Sequence, residues 1–223
     1  LRPTFDRKRW KQSKYLCGID EAGVGPLAGP VVAAAVVLPR DCSLPGVNDS
    51  KLIAPKQRAV LYGRILDKCL AWGVGIVNSR RIDEVNIRNA DFEAMKKAYA
   101  RLGLVPDYTI VDGWRIPGFD ISQEGIVKGD RKSLSIAAAS IIAKVTRDAI
   151  MARMHVRYPG YGFDRNKGYP TPEHFAALDR LGVTPIHRRS FEPVRLAMTN
   201  DECRMTNSSG AGNRNSSFAN RNS

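Results

Sequence analysis

Histidine and cysteine are scarce, with three of the first and four of the second in 223 residues. His155, His174 and His187 lack the i,i+4 spacing of a helical zinc pair, and core or surface roles fit them better than metal ligation. Cys17, Cys42, Cys69 and Cys203 include no Cys-x-x-Cys pair, so they read as reduced, packed thiols. Long apolar runs are missing too. The longest, Val31 to Leu38, falls far short of the roughly 20 residues that a membrane helix needs. No G-x-S-x-G elbow is present, which removes a common serine-hydrolase signature. The residues after Arg7-Lys8-Arg9 are polar where a secretory signal would be apolar, so the expected location is the cytoplasm.

Negative charge is the other deficit. Lys plus Arg number 35 against 22 Asp plus Glu, a formal charge of +13. An excess of that size attracts polyanions through counterion release, and nucleic acid is the natural partner. The length supports one sizeable core.

Along the chain, residues 1–14 are basic and aperiodic and read as a flexible arm. Two β-rich runs, Tyr15–Asp20 and Val31–Leu38, flank a Gly/Pro-rich connection and suit an adjacent strand pair. Helical spacing follows in Pro55–Ala71, a strand in Trp72–Asn78, a helix in Val85–Leu102 and a strand in Tyr108–Asp112. A fifth strand is expected in Asp120–Val127 and a long Ala-rich helix in Ser133–Tyr158. Thr171–Leu181 opens with a capping threonine and a first-turn proline, and Ser190–Met198 suits a last helix. Residues 199–223 are Asn/Ser/Gly-rich, with too few apolar side chains to offset the entropy of ordering, and read as a disordered tail. Strands first adjacent and then separated by helices imply a mixed α/β sheet.

The acids that are present stand at telling places. Asp20-Glu21 closes the first apolar run, Asp112 closes another, and Asp130 directly precedes the long helix. Unpaired charges are costly to bury, so carboxylates at the ends of buried strands need a cation. Oxygen ligands suit magnesium or manganese, and two such ions about 3.5–4 Å apart can activate water and stabilise the leaving oxygen of a phosphodiester. Each acid also has a plainer reading: a solvated turn for Asp20-Glu21 and Asp112-Gly113, and an interaction with the helix N-terminus for Asp130. Asp148, beside Arg147, fits an ion pair better than a ligand.

Phosphate-handling candidates surround these acids. The Gly23-Val24-Gly25 backbone can approach a ligand closely. Lys51 lies in a small polar loop, and Ser133 and Ser135 stand where a helix N-terminus could receive phosphate; loop chemistry and capping are the competing readings. Gly23 to Ala28 also fits a loose dinucleotide fingerprint, but Pro26 and Pro30 lead into a β-branched run where that motif requires a helix. Tyr161, Phe163 and Tyr169 are interleaved with Arg165 and Lys167, a combination that can stack on a sugar or base or pack as a loop on the body.

In family order, the segments GIDEAGVGPLAGPVVAAAVVL, NDSK, IVDG, KGDRKSLSIAAASIIAKVTRD, GYGFDRNKGYPTPEH and HRRSFEPV carry a likeness. From about Tyr15 to Arg195 the chain resembles ribonuclease HII, the type 2 branch of the ribonuclease H superfamily. The resemblance implies a ribonuclease H-like mixed five-stranded sheet flanked by helices with a C-terminal helical extension, residues 15–198 forming the catalytic domain. It implies a monomer that hydrolyses the RNA strand of RNA–DNA hybrids. It also implies cutting 5′ of single ribonucleotides in duplex DNA, leaving 3′-hydroxyl and 5′-phosphate ends with Mg2+ or Mn2+. Matched motif by motif, Asp20, Glu21, Asp112 and Asp130 are the implied catalytic acids, the first three being metal ligands. Tyr169 matches the tyrosine that recognises the RNA–DNA junction, and Gly23–Gly25 the segment that reads the 2′-hydroxyl. Two departures are visible: Val24 stands where an arginine is common, and Trp114 where an asparagine is frequent. A transposase- or resolvase-like nuclease, and a basic RNA-binding protein without catalysis, are the alternatives.

Overall fold

The computed structural model describes residues 4–199; the expected tail from residue 200 onward lies outside the described residues. Five strands form one sheet in the order β3-β2-β1-β4-β5. They are β1 (Leu16–Ala22), β2 (Val31–Val37), β3 (Ala71–Val77), β4 (Tyr108–Asp112) and β5 (Gln123–Ile126). β1 pairs antiparallel with β2, Asp20 facing Ala34, and β2 pairs antiparallel with β3. On its other side β1 runs parallel to β4, which runs parallel to β5. The parallel pairing sets the ends of β1 and β4 side by side, and both ends carry acids.

Both faces of the sheet are covered. β2 reads VVAAAVV and every one of its residues is buried, the continuous apolar pattern that a two-sided central strand demands. On one face Leu16, Ala34, Val36 and Ile110 pack with Leu61 and Ile65 of α2 (Pro55–Lys68) and with the Ala/Ile stripe of α5 (Leu134–Arg157). Gly18 permits this approach, because a Cβ there would lie 2.3 Å from the Ser135 carbonyl carbon. On the other face Cys17, Ile19, Val31, Ala33, Ala35 and Val111 pack with Ala90, Ala94, Met95 and Ala98 of α4 (Ile87–Ala100). A third apolar cluster joins Leu27 and Ala28 to Met151, Tyr161, Phe163, Leu178 and Val194, and so ties the C-terminal extension to the loop after β1.

The structure departs from the sequence expectations in two places. The basic segment expected as a flexible arm contains a helix, α1 (Thr4–Trp10), with Asp6 and Trp10 buried. Asp6 accepts hydrogen bonds from the Ser135 amide and hydroxyl, both at 2.9 Å, so the segment is anchored to the start of α5. The helix expected over Val85–Leu102 is α4 (Ile87–Ala100), but a further, unexpected helix, α3 (Ser79–Val85), stands directly before it. They break at Asn86, whose φ of 66° lies in the left-handed region and whose side chain caps α4 by accepting from the Asn89 amide.

The remaining elements are α6 (Phe163–Asn166) and α7 (Pro172–Leu181), and residues 192–199 are also helical. Thr171 caps α7 by accepting from the His174 amide. Among the described residues, no helix is long and apolar enough to cross a membrane.

Candidate active site

Asp20 and Glu21 follow one another at the end of β1, and Asp112 ends the parallel neighbour β4. One carboxylate oxygen from each of the three lies within 4.8 Å of the others. The Asp20 Oδ1 accepts from the Glu21 amide at 2.7 Å, and Asp112 Oδ1 from the Gly129 amide at 2.6 Å. Burial, together with the charges of Glu21 and Asp112, holds the Asp20 carboxyl well above the ordinary aspartate range. Glu21 is raised as well, by burial and by Asp112, with Lys51 opposing.

This mutual repulsion is what a cation would relieve. Among the described residues, no lysine, arginine or histidine forms an ion pair with these three carboxylates. A compact all-oxygen set, partly buried and with no ion-pairing side chain among the described residues, fits a hard divalent cation.

Asp130 sits in the short turn Gly129–Arg131 just ahead of α5. Its carboxyl is raised by burial, by Asp112 and by Asp49, with Lys51 and Arg131 opposing. The field of Asp112 therefore reaches Asp130, although Asp130 is not one of the three carboxylates within mutual reach. Lys51 is exposed and acts on both Glu21 and Asp130. Its loop is fixed by buried Asp49, which accepts from the Lys51 amide at 2.9 Å and from Arg131 Nη2 at 3.0 Å.

The loop from Gly23 to Pro30 is held from beneath by two buried arginines. Arg188 donates to the carbonyls of Gly29 at 3.1 Å, Val24 at 2.8 Å and Gly23 at 2.5 Å. Arg147 donates to those of Pro30 at 3.0 Å, Ala28 at 3.1 Å and Lys167 at 3.0 Å. Gly23 has φ +98°, and a Cβ there would overlap the Arg147 guanidinium, so the turn requires glycine. Gly25 lies against Tyr169: a Cβ on it would be 3.9 Å from the tyrosine ring. Tyr169 is 38% exposed, and its carbonyl is gripped by His174 Nδ1 at 2.9 Å.

Ser133 and Ser135 take another role than the one expected of them. Both are fully buried. Ser133 caps α5 by accepting from the Ile136 amide at 3.2 Å, and Ser135 is engaged by Asp6, so neither faces a ligand. Asp148 is indeed an ion-pairing residue, at 2.7 Å from Lys144 and 3.3 Å from Arg58.

Sequence reasoning passed over Asp91. It lies on α4 and lines a 410 Å³ cleft with Glu21, Val24 and Asp112. Its Oδ1 is buried without a hydrogen-bond partner, and burial plus the charge of Glu21 pushes its carboxyl up to about 8. An orphaned, charge-repelled oxygen beside the cluster is a second sign that cationic charge is missing from the protein alone.

The family model described as Ribonuclease HII matches residues 17–194. Ribonuclease HII of Clostridioides difficile strain 630 is 57% identical over 177 residues, which span 79% of this chain and 69% of that protein. Among solved structures, ribonuclease H2 from Pyrococcus horikoshii OT3 has a TM-score of 0.72 at 28% identity, covering 84% of this chain and 99% of its own. A structure of the PCNA:RNase HII complex from Archaeoglobus fulgidus matches with a TM-score of 0.69 at 27% identity, covering 80% of this chain and 95% of that one.

Proposed function

The chain belongs to the ribonuclease HII family, and from that membership we propose an endoribonuclease that cuts 5′ of ribonucleotides embedded in duplex DNA, as well as the RNA strand of hybrids. Hydrolysis of RNA in RNA–DNA hybrids is the activity of the family at large; the single-ribonucleotide specificity and a two-ion mechanism are the proposal. The observation that carries it is the convergence of Asp20, Glu21 and Asp112 within 4.8 Å at the ends of two parallel strands.

Asp20, Glu21 and Asp112 would hold the divalent cations, Mg2+ or Mn2+, with Asp130 completing the acidic cluster. When bound, those ions supply Lewis-acid stabilisation of the phosphate and a nucleophile from water. The protein's own share is positioning. Asp112 is oriented by the Gly129 amide, and Asp20 by that of Glu21. Lys51, exposed beside Glu21 and Asp130, meets the anionic backbone. The Gly23–Gly25 backbone, pinned by Arg188, approaches the ribose, where the 2′-hydroxyl distinguishes RNA from DNA. Tyr169, half-exposed beside Gly25, packs on the adjoining sugar. No covalent enzyme intermediate is required, and the products are 3′-hydroxyl and 5′-phosphate ends.

The test is duplex DNA carrying one ribonucleotide, with all-DNA and RNA–DNA hybrid controls, with and without Mg2+ or Mn2+. Cutting 5′ of the ribonucleotide only when the metal is present is the expected result. Cleavage of the all-DNA duplex would point to a transposase- or resolvase-like nuclease, and chelator-insensitive binding without product to a non-catalytic RNA binder.

A further inference from the structure

The cleft that opens on Glu21 and Asp112 has a wall that the hydrolytic chemistry leaves unused. It is built from Val24 on the loop after β1, Phe92 and Met95 on α4, and Trp114, with Arg88 also lining the cleft. Trp114 comes two residues after Asp112, and its amide donates to the Asp112 carbonyl at 3.1 Å, so the indole is carried at a fixed offset from a carboxylate of the cluster. Trp114 is 67% exposed and Val24 39% exposed, and both line one concavity with the acids. Trp114 has no ring or cation partner among the described residues, and exposed Arg88 has no ion pair there. An open indole of this size forgoes a large apolar burial unless something packs on it.

The chemistry of the cleft narrows the occupant. Glu21 and Asp112 in the lining repel a free anion, but a phosphodiester joined to the cations of the cluster is drawn to them. The rest of the lining, Val24, Phe92, Met95 and Trp114, is apolar and aromatic, which suits the face of a sugar ring; in a duplex the base faces are covered by their neighbours. Arg88 offers a fork for the next phosphate along the strand. Resting on the ribonuclease reading above, we propose that this cleft seats the nucleotide adjoining the scissile phosphate, its sugar packed against Trp114 and its further phosphate paired with Arg88.

The experiment uses the full chain and a duplex DNA carrying one ribonucleotide. Cleavage is followed in Mn2+, and binding is measured in an Asp112→Asn background so that the substrate survives. Trp114→Ala weakens binding about tenfold, the scale of a lost apolar contact of one aromatic face, and raises KM with little change in kcat. Trp114→Phe restores most of the affinity, which a purely structural role for the indole would not require. Duplex addition quenches the protein's tryptophan emission, and the quench is absent in Trp114→Ala, which keeps Trp10 and Trp72. Arg88→Ala lowers the slope of log Kd against log salt by about 1, one phosphate contact. Parent affinity and parent quench in Trp114→Ala, or an unchanged salt slope in Arg88→Ala, overturn the subsite while leaving the ribonuclease reading intact if the parent still cuts at the ribonucleotide. A parent that cuts no ribonucleotide-containing duplex removes that reading, and the subsite with it.

Discussion

The amide of Gly129 donates to Asp112 Oδ1 at 2.6 Å, tying the end of β4 to the turn that carries Asp130. Through this one bond an acid on a strand and an acid ahead of a helix are kept in a single constellation. Gly129 leaves room for it, since a Cβ there would come 3.2 Å from Asp112 Oδ1 and 2.5 Å from Ile136 Cδ1.

Asp112→Asn separates charge from shape. The amide oxygen can still accept from Gly129, so the turn should persist, while the ligand set loses a negative charge. Cleavage of a single-ribonucleotide duplex is expected to fall by at least about a thousandfold, on the order of 4 kcal/mol of transition-state stabilisation. Affinity for the duplex is expected to stay close to that of the parent. Cutting at the parent rate would remove Asp112 from its proposed role.

Val24→Arg tests the departure in the Gly23–Gly25 segment. Val24 is held through its carbonyl by Arg188, so the change touches only the side chain. A guanidinium at this exposed position adds donors that valine lacks. Binding to a single-ribonucleotide duplex should tighten roughly three- to tenfold, about 1 kcal/mol of charge-assisted hydrogen bonding. An unchanged Kd in a fluorescence-anisotropy titration would reject the prediction.

Asp91→Asn addresses the orphaned oxygen. In chelator at about pH 7 the parent must take up a proton on Asp91 as it folds, because its partnerless carboxyl facing Glu21 is pushed up to about 8; asparagine removes that cost, so the variant should be more stable by at least about 1 kcal/mol. Adding Mn2+ supplies the missing positive charge to the parent, and the advantage of the variant should shrink. Urea midpoints with and without metal check both halves; a variant less stable than the parent in chelator would contradict the account.

The sequence made the sheet and the three carboxylates legible for the same reason. A strand buried on both faces must be continuously apolar, so an acid can appear only where the strand leaves the core, and Asp20-Glu21 and Asp112 mark those exits. What was hidden depends on tertiary partners. The helix α1 has seven residues and no apolar stripe; its order comes from Asp6 on Ser135 and from the burial of Trp10. Ser133 and Ser135 carry the signature of a phosphate-receiving helix start, but a carboxylate 129 residues away in sequence from Ser135 already occupies it. Asp91 reads locally as a solvated helix acid, and only the packing of α4 beside β1 turns it toward Glu21.

The two histidines that looked idle in the sequence form a buried chain beneath Tyr169. Thr184 donates its amide to His187 Nδ1 at 2.9 Å, which leaves His187 Nε2 carrying the proton; His174 Nδ1 must donate to the Tyr169 carbonyl, which leaves its Nε2 free to accept across the 3.0 Å gap. Both rings are thus neutral, and burial together with His174 pushes His187 down to about 3. A histidine with a depressed folded-state pKa binds protons more readily in the unfolded chain. Its contribution is therefore complete above the unfolded value of about 6.5 and is lost as pH falls from there toward 3. Lowering pH from 7.5 to 5 should cost about 2 kcal/mol through this residue. His187→Gln should be less stable at pH 7.5 yet show a shallower decline with acid, measured as urea unfolding free energies across that range. A variant whose slope matches the parent would show that protonation of this pair does not govern the acid limb.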